Sequence, residues 1–130
     1  MKLILSFTAA AILGLSGAAQ AAMTKVEVKA EKERVEKEYE AGKDKCKSHS
    51  GNARDICMAE AKGRNKVALA ELDERNDPSA KSRQKVKLAK AEAEYDVAKE
   101  KCDERAGDTR DVCMKEAKAA LARDKVNARQ

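Results

Sequence analysis

Between residues 88 and 102 the apolar side chains Leu88, Ala91, Tyr95, Ala98 and Cys102 recur at spacings of three, four, three and four, and seven of the ten positions between them are charged. That is the period of an amphipathic helix with a narrow seam. Val28, Val35, Tyr39, Gly42 and Cys46 form a sparser stripe of the same kind, as do Cys57, Ala61, Ala68 and Leu72, and finally Cys113, Ala117 and Ala120 beside Leu121. The chain is rich in Ala, Lys, Glu and Arg and lacks the runs of β-branched and aromatic residues that strands need. Four helices are therefore predicted, over about residues 25–48, 53–75, 78–106 and 109–128.

The residues between the stripes give each break a chemical reason. Ser50-Gly51-Asn52 offers a glycine for a left-handed helix end and Asn52 as the next N-cap, with Asp55 three residues on. Gly107-Asp108, followed by Asp111, repeats the arrangement. An acidic residue in a first helical turn also meets the positive end of the helix dipole. Asn76-Asp77-Pro78 supplies the middle break, with Asp77 expected to cap and Pro78 to occupy the first helical position. Pairs four residues apart, Glu33/Lys37, Glu60/Arg64 and Glu71/Arg75, are expected to support the exposed faces.

The two halves of this pattern are copies. Residues 39–62 align without a gap on residues 95–118, 56 positions later, with 12 identities in 24 positions. Cys46 and Cys57 match Cys102 and Cys113, and Gly51, Arg54, Asp55 and Glu60 match Gly107, Arg110, Asp111 and Glu116. The expected domain organisation is a leader over 1–21, a first hairpin repeat over 22–76 and a second over 77–130. The fold class is all-α, two tandem disulfide-clamped helical hairpins arranged as an up-down-up-down four-helix bundle. Two hairpins in an extended row, or a dimer, also satisfy the pattern. Alanine dominates the seams, so helices can approach closely while each contact removes little apolar area.

Residues 1–21 have the form of a cleaved secretory signal: Lys2, an apolar run over 3–15, then Ala19-Gln20-Ala21 before the cut. The apolar run is shorter than the about 20 residues a spanning helix needs. Export, with a bacterial periplasm as destination, makes four cysteines at duplicated spacings read as two disulfides. On one unbroken helix Cys46 and Cys57 would stand roughly 16 Å apart, beyond bonding range. With the chain reversing at Gly51 they face each other, and Cys102 faces Cys113 around Gly107. The other pairing of this kind, Cys46 with Cys113 and Cys57 with Cys102, requires continuous helix between the cysteines of each motif, which the glycines interrupt.

Charge and chemistry narrow the function further. Lys2 is the only charge in the leader, so its removal lowers the formal net charge from +5 to +4. Acidic and basic residues alternate along the chain rather than forming a block, which suits a solvated helix surface better than a nucleic-acid footprint. Weak attraction to an anionic envelope surface is compatible with the small positive charge. The single histidine has no partner motif for a Ser/His/Asp set, and there is no phosphate loop, no HExxH and no Cys-x-x-Cys. No catalytic residue, cofactor or metal ligand is assigned. His49, Met58 and Met114 are the candidates for a metal-binding or metal-stress role, although Arg105 replaces His49 in the second copy.

The doubled frame, Cys46 through Cys57-Met58 with its Glu-Ala-Lys run and Cys102 through Cys113-Met114 with another, resembles a group of small exported Ala/Lys/Glu-rich proteins of betaproteobacteria. Some of these are labelled as similar to TolA, the envelope-spanning protein. The resemblance covers most of the chain after the leader and implies export and a doubled hairpin rather than an activity. The expected function is that of a non-enzymatic periplasmic interaction or envelope-stress protein, acting on a protein partner or on itself. A small chaperone is a variant of that expectation, requiring exposure of Leu72, Val86 or Leu88. A periplasmic metal-binding protein is the alternative.

Overall fold

The computed structural model describes residues 22–130; the leader expected over 1–21 lies outside the described residues. Four α-helices follow one another: α1 (Lys25–Cys46), α2 (Gly51–Asn76), α3 (Ala80–Cys102) and α4 (Gly107–Ala128). The protein is all-α, built from two helical hairpins clamped by disulfides and running up-down-up-down. Cys46 bonds Cys57 and Cys102 bonds Cys113, with Cα–Cα separations of 5.5 and 5.6 Å. Both clamps lie at one end of the array, where Asn52 at the start of α2 reaches the last turn of α3.

Packing follows chain order. Helix α1 rests on α2, α2 on α3 and α3 on α4; among the described residues no other pair of helices comes within 8 Å, Cα to Cα. The bundle is thus open between α1 and α4. The inner helices α2 and α3 each carry two neighbours and the outer ones a single neighbour. This explains why the buried set on α3 differs from one seam. Val86, Ala89 and Ala91 are buried there with Ser82 and Cys102, whereas Leu88, Tyr95 and Ala98 are half-buried. Two partners demand two stripes. The largest fully buried side chains are Leu72 and the half-cystines Cys46 and Cys102, so the clamps supply part of a thin core.

Several helix ends depart from the sequence expectation. Gly51 and Gly107 both have φ of 56°, the left-handed region where a Cβ would be strained, and each begins the helix that follows the turn. Asn52 does not cap α2: the N-cap is Ser50, with no side-chain bond, and the Asn52 amide is used elsewhere. Helix α4 likewise starts behind Ala106 without a side-chain cap. In the middle break Asp77 closes α2, and Ser79, not Asp77, caps α3, so Pro78 precedes the helix. Ser79 and Ser82 form a capping box, and the buried Ser82 hydroxyl also donates to the Asp77 carbonyl at 2.7 Å. Thr24 and Glu27 form a second box at the start of α1.

The ion pairs also choose other partners. Glu71 meets Lys90 across α2 and α3 at 2.9 Å, Arg75 meets Glu31 across α1 and α2 at 2.8 Å, and Glu33 pairs with Lys29. Tertiary neighbours have thus displaced the expected Glu71/Arg75 pair, whereas Glu33 takes a partner on its own helix and Glu60 does not pair with Arg64.

Candidate interaction surface

A close approach of two helices sets the geometry of the main surface feature. Gly63 on α2 lies against Ala93 on α3 so tightly that a Cβ on the glycine would stand 2.9 Å from that of Ala93. Because these backbones nearly touch, the side chains beside them splay to either side, leaving a furrow of about 620 Å³ along the α2–α3 seam. Small and apolar residues make its floor: Gly63, Val67 and Ala68 from α2, Ala93, Val97 and Ala98 from α3. Charged residues stand along its walls: Glu60, Arg64 and Glu71 from α2, Lys90, Glu94 and Lys101 from α3. Of these, Glu71 and Lys90 pair with each other; among the described residues, Glu60, Arg64, Glu94 and Lys101 have no carboxylate or cation within 4 Å.

The opposite side of α3 is tied rather than open. Glu92 accepts from Lys66 of α2 and stands 3.5 Å from Lys125 of α4, so one carboxylate links three helices. The Lys66 hydrogen bond, reinforced by both ammonium charges, holds the Glu92 carboxyl below its ordinary range despite some burial. On the outer hairpin, Glu31 accepts from Arg34 on its own helix and from Arg75 on α2, and these bonds hold its carboxyl down to about 2. These networks fix how the helices sit and leave the furrow as the open face between the inner pair.

The duplicated residues gather at the clamped end. Lys43 lies over the Tyr39 ring at 4.6 Å, and its copy Lys99 over the Tyr95 ring at 5.3 Å, so each half-buried tyrosine, two turns before the buried half-cystine, carries an ammonium on its face. Met58 and Met114 are half-buried beside Cys57 and Cys113, and His49 is exposed in the turn after α1. Among the described residues, no group of three or more His, Cys, Asp or Glu side chains is placed to hold a metal ion. The turns also differ in their ion pairs: Arg110 makes two bonds to Asp103, at 2.6 and 2.8 Å, where the first copy has Lys47 in place of the aspartate. The duplicated elements thus build clamps, and the furrow draws most of its lining from residues outside the copied segments, with Glu60, Val97, Ala98 and Lys101 as the exceptions.

Sequence reasoning singled out none of Val67, Ala93 and Val97. Gly63 was the available signal, since an isolated glycine inside a helical pattern marks a close packing contact. No helix of the described residues is long and apolar enough to cross a membrane. Set against family models, curated proteins and solved structures, the chain matches none of them.

Proposed function

We propose that this protein is a non-enzymatic, exported helical interaction protein of the periplasm, and that it docks another helical surface in the α2–α3 furrow. The observation that carries this reading is the furrow itself: a small-residue, apolar floor between walls of charged residues that, among the described residues, mostly have no partner. Small floor residues let a second backbone approach closely, and an apolar centre inside a polar rim is the usual anatomy of a docking surface. Two disulfides suit an oxidising compartment, where thiols are not kept reduced.

The test is site-specific photo-crosslinking in intact cells, with the photoreactive residue at Val67 or Val97 in the furrow and, as controls, at the exposed Val26 or Val112. Discrete adducts from the furrow positions alone, lost on Ala68→Glu, are the expected result. Equal labelling from all four positions, or none from the furrow, would remove the reading. Thiol alkylation of fractionated cells checks the compartment: both disulfides should be oxidised in the periplasmic fraction.

A further inference from the structure

The order of charges along the furrow says what fits it. Gly63 and Ala93 mark one level on the two antiparallel helices, because an added Cβ at one would abut the other. Measured from that level toward the clamped end, Glu94 lies one residue away, Glu60 three and Lys101 eight; toward the far end, Arg64 lies one, Lys90 three and Glu71 eight. Along the furrow the signs therefore run plus, minus, minus, then plus, plus, minus. Reversing the direction reverses every sign.

A surface with that antisymmetry complements itself when turned end over end. We propose that the furrow is the interface for a second copy of this chain, docked antiparallel about a two-fold axis that lies in the interface, perpendicular to α2 and α3, near Gly63 and Ala93. This rests on the furrow being a docking surface. The operation sets Glu60 against Arg64 of the other copy and Arg64 against its Glu60, and likewise Glu94 against Lys90 and Lys90 against Glu94, as an isologous contact requires. Lys101 then reaches the level of Glu71 of the other copy. The parallel alternative, with the two-fold along the furrow, fails on the same charges. It would place Arg64 beside Lys90 and Glu60 beside Glu94, each only two residues apart in level, about 3 Å at helical rise. Like charges opposed at an interface exclude that arrangement. The floor agrees, since glycine and alanine at the centre let α2 and α3 of the two copies cross closely, with Val67 and Val97 packing to either side.

The experiment is sedimentation equilibrium on the oxidised protein expressed from the full chain, over a range of concentrations and at low and high salt. A dimer is expected, weakened by salt because charge pairs ring the contact. Glu60→Arg and Arg64→Glu should each weaken self-association about tenfold or more. Mixed together, they should form a heterodimer, because arginines at 60 and 64 on one chain then face glutamates at both positions on the other. The double variant carrying both exchanges should recover self-association. Helical circular dichroism and intact disulfides show that each variant is folded. A monomer at every concentration, or a dimer indifferent to these exchanges, overturns the proposal. If the chain is monomeric but the furrow positions still crosslink to a different protein, self-docking falls and the docking surface stands. If the furrow positions yield no adduct, both fall.

Discussion

The Asn52 side-chain amide donates 2.9 Å to the backbone carbonyl of Glu100, joining the first turn of α2 to the last turn of α3. Carbonyls in a last turn have no partner on their own helix, so the first hairpin supplies a cap for the second. The equivalent residue of the second copy is Asp108, and among the described residues no helix other than α3 lies beside α4. The difference between copies thus follows position in the array: an amide where a neighbouring carbonyl must be met, a carboxylate where the only demand is the helix dipole.

Asn52→Asp should therefore be worse than Asn52→Ala. Alanine removes one hydrogen bond, about 1 kcal/mol. Aspartate in addition turns a carboxylate toward a carbonyl oxygen, and its loss should exceed that of alanine at neutral pH and shrink as the carboxyl is protonated. Denaturant unfolding of both variants at pH 7 and pH 3.5 checks the order. Equal losses at pH 7 would mean that the carboxylate does not face the Glu100 carbonyl, and no loss in either variant would mean that the contact contributes nothing.

Gly63→Ala tests the close approach of α2 and α3. Alanine favours helix over glycine by about 1 kcal/mol, but the new methyl would stand 2.9 Å from the Cβ of Ala93, which is too rigidly placed to turn aside. Overpacking of this kind costs about 1–3 kcal/mol, so the net effect is destabilising or neutral, never the gain that propensity alone predicts. Ala93→Gly in the same chain should restore the lost stability, less its own propensity penalty. Thermal unfolding of the two single variants and the double variant forms the cycle. A stabilised Gly63→Ala protein would show that the helices can separate freely.

The four helices and the two clamps were legible because duplication, glycine turns and the proline break are local signals, and because Cys46 and Cys57 meet only if the chain reverses between them. The caps were less legible. Asp77-Pro78 looks like a helix start, but Ser82 can bond Ser79 and the Asp77 carbonyl together, and that reciprocal set fixes the end of the turn. The furrow was least legible. Ala93 and Val97 look like any apolar helix position until the packing order shows that α1 and α4 each lie on one neighbour and never meet. Cross-helix pairs such as Glu71 with Lys90 are hidden for the same reason: partner choice depends on which faces touch.

Gly107→Ala isolates backbone strain from packing. Nothing lies within 4 Å of a Cβ built at this position, yet φ is 56°. The expected loss is about 1–2 kcal/mol, with Gly107→Asn losing less because asparagine tolerates this region better. Gly51, with the same φ and the same open surroundings, should behave alike. Equal stability of the alanine and glycine proteins would mean that the turn rearranges.

Removing either clamp should cost on the order of 3 kcal/mol in the chain-entropy view. Alanine pairs are the better probe, since Cys46 and Cys102 are 0% and 1% exposed and serine would bury a hydroxyl there. Cys102→Ala with Cys113→Ala retains the Arg110–Asp103 pair across its turn, whereas the first hairpin has no such pair. The first clamp should therefore be the more damaging loss. Melting temperatures of the two double variants decide it, and the reverse order would assign the Asp103 pair no holding role.

Acid should loosen the junction between α1 and α2 as Glu31 takes up its proton. The Glu31 carboxyl is held at about 2 by Arg34 and Arg75, against about 4.5 without them, so the unfolded chain takes up a proton at higher pH than the folded one. The stability from this pairing is accordingly complete above about pH 4.5 and is lost as pH falls toward 2. Glu92, lowered by Lys66 and Lys125, contributes in the same direction at the α2–α3–α4 side. Melting temperature followed from pH 7 to pH 2 should decline through this window, and Glu31→Gln should start lower and decline less. Because both arginines are about half exposed, 0.5 M salt should shrink the difference between the two proteins. Parallel pH profiles for the wild type and Glu31→Gln would show that the Arg34–Glu31–Arg75 cluster does not hold the two helices together.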